Sequence, residues 1–446
     1  MKKFLFLIFI VCLLNGAGLL RAQTEDWGIV SQEFYNRYYD RSVNLNFQIT
    51  DPAAIAMGGA YVAIADNPHA TLLNPAGLAQ IQHPQVNFVT QFDFNTRDYT
   101  AAMNSGIKVL STPKPIFTYP AFAGVFPFKF GSRRIALGLS YSTLANLRAK
   151  LEETQFFYGG GRINENKDIL GGVKTIAGAV SVEVFPQIAV GVSFQQLFGT
   201  NQYDLKIQSP YADQRVYFRF NDEEKASGSL LTFGILLKPF KWISLGATAA
   251  PQWTYTVEEN LEKIQIANYD SDVGWKTRYY QTPDDSLTLI KTRVPLSYRL
   301  GVTLQPLAKL KLSAGVEMIN WSQAEITNND QTQLNVLGDV QQQHFGIEYR
   351  FGTPDLQVPL RFGYYTNDFP QKDQFFEEKY YGEQIKLNYW TGGFGVVLSR
   401  LQFDFAFRQG TSEIGWWMRA ADYYNERLFY TNDHFNQAML SMTYKL

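Results

Sequence analysis

An all-β fold, a transmembrane antiparallel β-barrel of about fourteen strands with a small N-terminal plug or hatch in its lumen, is predicted by three observations. The first is strict alternation of apolar and polar residues. Leu401, Phe403, Phe405 and Phe407 alternate with Gln402, Asp404, Ala406 and Arg408, the pattern of a strand with one apolar face. The second is the spacing of such segments, in which joins of about two to six residues take turns with much longer ones. The third is composition. Hydrophobic residues make up 46% and charged residues 18% of 446 residues, and mean hydropathy is -0.20. No apolar run after the N-terminus approaches the roughly 20 residues of a spanning helix, so apolar and polar content are interleaved. Aromatic residues, 15% of the chain, suit the girdles of a membrane barrel.

Lys2 and Lys3 precede the apolar run Phe4 to Leu14, and Ala22 precedes a cut at Gln23. Residues 1–22 therefore read as a signal peptide, with the outer membrane of a Gram-negative-type cell as destination. The single cysteine, Cys12, lies in that run, so the mature chain has none, and thiol chemistry and disulfides are excluded.

Residues 23–83 hold an irregular extension and then the one compact small-residue stretch, Asp51 to Ala79. Gly58 and Gly59 allow close packing or positive φ. Asp66, Asn67 and Pro68 form a turn, and Asn74 with Pro75 makes a second break. The stretch is too short and too poor in large apolar residues to build its own core, so it packs against something else as a plug. Gly58, Gly59, Asp66, Asn74 and Pro75 are the candidate plug and gate residues. Asn74 is placed to satisfy plug backbone rather than to bind ligand.

Residues 84–446 are the barrel. Outward apolar sets run through Val86 to Phe94, Ile135 to Tyr141, Ile188 to Phe194, Val294 to Leu304, Leu310 to Met318, Phe345 to Phe351, Leu356 to Tyr364 and Leu401 to Phe407. Less regular runs begin near Tyr119, Thr175, Ser227, Trp242, Ile385 and Phe435. Short turns lie on the periplasmic rim and long loops on the other. The last strand, with Leu440, Met442, Tyr444 and Leu446 on one face, pairs with the first, because an open edge in lipid leaves backbone groups unpaired.

The lumen face carries charges concentrated in the second half: Arg293, Arg299, Lys309, Lys311, Glu317, Glu348, Arg350, Arg361, Lys386, Asp404 and Arg408. These pair chiefly with one another or with the plug. Arg299 and Arg361, near mid-strand, are candidate anchors for an anionic head group. Trp242 to Val257 reads as one long strand with Pro251 in its interior, which removes a ladder hydrogen bond. At Gly392 and Gly393 the apolar parity switches from odd (Ile385, Leu387, Tyr389) to even (Phe394, Val396, Leu398), as a one-residue β-bulge produces. Pro251, Gly392 and Gly393 are therefore the candidate lateral-gate positions. The four histidines are not spaced as metal ligands, no nucleophile or phosphate-loop signature is present, and no cofactor is expected. An enzyme is not expected, and the formal net charge of -1 argues against nucleic acid.

Met57-Gly58-Gly59-Ala60, Ala65-Asp66-Asn67 and Asn74-Pro75-Ala76-Gly77-Leu78 resemble the N-terminal hatch of the FadL/TodX family, outer-membrane channels for long-chain fatty acids and other hydrophobic compounds. The resemblance implies passive uptake of a hydrophobic small molecule, a hatch that blocks the lumen, and sideways exit beside a distorted strand. Similar openings occur in PorV-like barrels, partners in protein secretion or surface attachment, which gives the alternative. The partners expected are outer-membrane lipid, a hydrophobic ligand and the barrel assembly machinery during biogenesis, with the protein a monomer. A continuous apolar tunnel would favour transport, and a packed, salt-bridged lumen the partner role.

Overall fold

The computed structural model describes residues 50–446 apart from 95, 102–107, 114, 147–148, 157–161, 212–213, 271–273, 281–287, 329–330, 335–336, 369, 371–385 and 420–425. The signal peptide and most of the extension lie outside the described residues.

Fourteen staves close into one antiparallel ring. They are β1 Gln85–Asp93, β2 Ile116–Phe130, β3 Arg133–Asn146, β4 Arg162–Phe185, β5 Ile188–Tyr211, β6 Gln214–Phe240 and β7 Ile243–Ala250. The ring continues with β8 Ser297–Leu307, β9 Leu310–Ile319, β10 Val340–Gly352, β11 Gln357–Thr366, β12 Asn388–Val397, β13 Leu401–Arg419 and β14 Glu426–Lys445. Each stave pairs with the next, and β14 closes on β1 through Val86 with Tyr444, Phe88 with Met442 and Thr90 with Leu440. The closing strand is thus where the alternation put it, and the ring has no edge to present to lipid.

Alternation sorts the two faces as lipid and water require. Phe88, Phe126, Leu139, Phe194, Phe233, Leu300, Phe345, Phe362, Trp390 and Leu440 are exposed on the outside. Ser140, Ser181, Ser193, Thr232, Thr303, Ser313, Thr391 and Ser441 are buried within.

Four expectations are corrected. The long joins are largely strand: β4, β5 and β6 run 24, 24 and 27 residues, well past the roughly ten that cross the apolar band. Beyond the band the ladder continues, with Leu205 opposite Phe220 and Ile207 opposite Phe218, in stretches where charged residues are dense. Trp242 to Val257 is not one strand, because β7 stops at Ala250 and a separate strand, Trp253–Asp270, carries the stave on after Pro251 and Gln252. Val294 does not face lipid: it is buried with Trp253, Ile319 and Trp321. At Gly392 and Gly393 the pairing runs without a register shift on either side, so there is no bulge. Leu387 and Tyr389 are buried and Trp390 is exposed, so the odd-numbered apolar residues face inward rather than shifting the strand.

Residues 50–83 occupy the barrel interior. Helix α1, Pro52–Ala56, is capped by the Asp51 carboxylate, which accepts from the backbone N–H groups of Ala53 and Ala54 at 3.3 and 3.2 Å. The chain turns at Gly58 and Gly59, both at positive φ (62° and 72°). It continues through α2, Ala70–Leu73, into a 3-10 turn, Pro75–Gln80. Nearly every side chain in it is buried.

Candidate functional site

The inner segment meets the wall backbone to backbone. Cβ atoms added to Gly346 and Gly363 would overlap Met57 O and Gly58 N, and one on Gly58 would overlap Phe345 O. Around the ring, Gly191 faces Pro75, Gly234 faces Asn74 and Gly246 faces Val62. Between these glycines, wall hydroxyls bond the segment's carbonyls: Ser313 Oγ donates to Ala60 O at 2.6 Å, Ser244 Oγ to Ala63 O at 2.7 Å and Ser181 Oγ to Ala76 O at 3.0 Å. The belt of Gly, Ser and Thr at one height was not singled out from the sequence. Its signal was there as small residues on the lumen-facing parity, as in Ser313, Gly346, Gly363 and Thr391, which pair in one row.

Asn74 is fully buried and bridges segment to wall. Its Nδ2 donates to Val62 O at 2.9 Å and to Ile235 O of β6 at 3.1 Å, and its Oδ1 accepts from Ala76 N at 3.1 Å. Pro75 follows at the first position of the 3-10 turn, where a missing N–H costs nothing. Gly59 lies beside Gly58 in the turn and donates to Ala54 O.

Asp66 accepts from the Tyr61 hydroxyl at 2.6 Å and lies 3.6 Å from Lys311 Nζ. Burial acts to raise its carboxyl pKa, but Lys311, the Tyr61 hydroxyl and Arg350 outweigh that and hold it well below the usual range. From Lys311 the ion pairs run inward. Glu348 binds Arg350 and Arg361 at 2.7 Å each, and Arg361 binds Asp404 at 2.6 Å. Arg361 is 3% exposed, and its guanidinium is engaged by two protein carboxylates. Arg299 holds Glu317 at 2.7 Å. Next to these, His344 Nδ1 donates to Gly58 O at 2.8 Å, and its ring stacks on Tyr365, which stacks on Tyr389 beneath Arg408.

Beyond the inner segment, on the side away from the short turns, lies a cavity of about 100 Å³. Asp51, His69 and Leu73 floor it, and Ala250, Trp253, Arg299, Glu317 and Trp321 are among its walls. Two buried ring nitrogens of its lining, His69 Nδ1 and Trp321 Nε1, have no hydrogen-bond partner among the described residues. Arg299 thus borders an open space, whereas Arg361 is not part of its lining.

Beside this cavity three successive staves break at one height. β7 stops before Pro251 and Gln252, β8 is separated by Pro295 and Leu296 from the strand above it, Thr288–Val294, and β9 gives way to the 3-10 turn Trp321–Gln323. Pairing resumes beyond, with Trp253 opposite Val294 and Arg293 opposite Glu325. Each side of this gap carries one proline, Pro251 and Pro295, each without an N–H. The gap is filled by Trp253, Val294, Ile319 and Trp321. The sequence pointed to Pro251; Pro295 and Trp321 were missed, although a proline inside a supposed outward set argues against an unbroken strand. Gly392 and Gly393 sit elsewhere, in a continuous part of the wall where a Cβ on Gly393 would crowd Ala56 of α1.

The fold is that of hydrophobic-compound channels. A Pseudomonas aeruginosa FadL homologue superposes with TM-score 0.58 at 13% identity, covering 90% of this chain and 99% of that one. The toluene transporters TbuX of Ralstonia pickettii and TodX of Pseudomonas putida give 0.55 and 0.56 at 14% identity, with 90% and 99% covered in both cases. No curated protein matches in sequence. The family model BamG matches residues 44–357, from the inner segment through ten staves and into the eleventh. With more than half of its length matched, the chain belongs to the BamG family, carried on an outer-membrane-type barrel of the FadL/TodX fold.

Proposed function

We propose that this protein is a closed outer-membrane barrel that works as a partner in building or exporting other envelope proteins, rather than as an open conduit. The observation that carries this reading is the seal. The inner segment is bonded to the wall all round, through glycine contacts, hydroxyl bonds and the Asp66–Lys311 ion pair, with only a small cavity beyond it. Such packing is a poor moving part, since withdrawing the segment leaves its buried hydrogen-bonding groups unpaired at ~1–3 kcal/mol each. Membership of a family named for the Bam machinery agrees with it. The test is a strain deleted for this chain: folded outer-membrane proteins fall in amount, while purified protein in a planar bilayer passes no ions. Normal envelope proteins in the deletion strain together with steady conductance would reverse the reading.

A second reading, passive uptake of a hydrophobic small molecule gated by the inner segment, is favoured by the cavity behind the broken wall. A volume of about 100 Å³ approaches the ~150 Å³ that admits benzene. A long-chain fatty acid would need the segment to move. In this reading Arg299 is the better placed anchor, and Pro251 the better placed exit. Labelled-solute uptake that falls in the deletion strain would support it.

A further inference from the structure

At the short-turn rim the stave ends repeat one pattern: a ring or leucine, a cation, and another ring or leucine. Phe128-Lys129-Phe130, Leu310-Lys311-Leu312, Tyr349-Arg350-Phe351 and Tyr444-Lys445-Leu446 all show it. Alternation sends the flanking residues to lipid, and Phe130 is 76% exposed there. The central cations take the lumen parity. Lys311 reaches Asp66, Arg350 reaches Glu348, and Lys238 of β6 donates to Gln80 of the inner segment. Lys309 lies in the two-residue turn between β8 and β9 and is exposed.

The mouth of the closed barrel is therefore ringed by cations on its inner side. Of the carboxylates at this level Glu348 is engaged by Arg350 and Lys311, Glu183 by Arg134 and Asp66 by Lys311, and Asp355, in the turn between β10 and β11, is exposed, so cations outnumber the carboxylates left over. Lys129 and Lys309 carry no ion pair among the described residues. The excess is local, because the whole chain balances 40 Lys and Arg against 41 Asp and Glu. Cations serving phospholipid head groups belong on the lipid side, where these stave ends carry rings.

We propose that this basic mouth docks an acidic segment of a periplasmic protein. The proposal rests on the partner reading above and names the chemistry of the partner. The inner segment closes the lumen behind the mouth, so the acidic segment binds at the rim and does not pass through.

The test uses full-length mature protein in phosphatidylcholine nanodiscs and a fluorescent polyglutamate peptide, read by anisotropy. Binding is expected, weakening as salt rises. Lys129→Gln with Lys309→Gln should weaken it about tenfold, a loss expected from removing charges that steer and hold an anion. Lys129→Arg with Lys309→Arg should keep it, as should Arg133→Gln on the lipid side. No binding, or equal loss in the Arg133 variant, would overturn the proposal. So would phosphatidylglycerol in the disc displacing the peptide from wild-type protein, which would assign the cations to lipid. Failure of the partner reading itself would appear separately, as normal outer-membrane proteins in the deletion strain with peptide binding intact.

Discussion

The two sides of the barrel solve opposite problems. From β10 to β13 the wall is unbroken in register and closely backed by α1 and the Gly58 turn, with the charges of Glu348, Arg361 and Asp404 interlocked. From β7 to β9 the ladder stops at Pro251, Pro295 and Trp321, and apolar rings replace hydrogen bonds over a cavity. The difference shows that one barrel can combine backbone-to-backbone packing on one side with side-chain filling on the other. The first is made of backbone contacts that tolerate no added atom, and the second of side chains that can repack.

The largest effect is expected on the sealed side. Arg361→Ala would leave Glu348 and Asp404 buried without their partner, costing ~3–5 kcal/mol, measured as a lower urea midpoint for refolding into liposomes. If that variant were as stable as wild type, the ion network would not be stabilising this side of the wall. Gly363→Ala comes next. Its Cβ has no room against Gly58 N, and overpacking of this kind costs ~1–3 kcal/mol. The expected readout is faster protease cutting within residues 50–83 while the barrel stays heat-modifiable.

Replacing Asn74 and Pro75 together by Ala removes the two bonds that Asn74 donates to Val62 and Ile235. Small-solute leak in a planar bilayer should rise with the barrel still folded; unchanged conductance would show that other contacts suffice. On the broken side Pro251→Val should leave stability within ~0.5 kcal/mol and slow uptake if solutes leave there. Uptake unaltered by that change would separate the gap from any exit route.

The smallest effect is pH-dependent. A carboxyl whose folded pKa is lowered contributes stability above its unfolded value and loses it as pH falls. For Asp66 that loss begins near the ordinary value of 3.8 and continues downward toward the folded one. The segment should therefore stay protected at neutral pH and loosen only in stronger acid, and Asp66→Asn should flatten that profile.

Much of the ring was legible because lipid and water impose a period of two: the outward sets of β1, β3, β5, β9, β10 and β13 and the closing of β14 on β1 follow directly from it. It failed where that contrast fails. Past the apolar band β5 and β6 keep their pairing, with Leu205 opposite Phe220 and Ile207 opposite Phe218, but these apolar sets are short and set among many charges, so the stretches read as loops. Tyr389 and Leu387 are apolar yet face inward because they stack under Arg408 and Tyr365 or pack in the lumen, so parity alone suggested a bulge. The seal was legible only in part. Asn74 and Gly58 announced themselves as turn residues, whereas Gly346, Gly363 and Ser313 matter only through what the inner segment brings against them, and a single sequence does not carry that distance.

The most direct test of a permanently closed working state is to fix the inner segment in place. Thr50 Oγ1 and Ser142 Oγ lie 2.6 Å apart, and Cys12 is the chain's only cysteine, so Thr50→Cys with Ser142→Cys offers a unique disulfide under oxidising periplasmic conditions. The segment's other end runs into β1, and the bond would tie both ends. In a strain lacking the native copy, the locked protein is expected to restore the amount of folded outer-membrane proteins as fully as the unlocked one, with and without reductant. Loss of function on locking, recovered when reductant opens the disulfide, would contradict the closed-barrel account and leave the gated channel in its place.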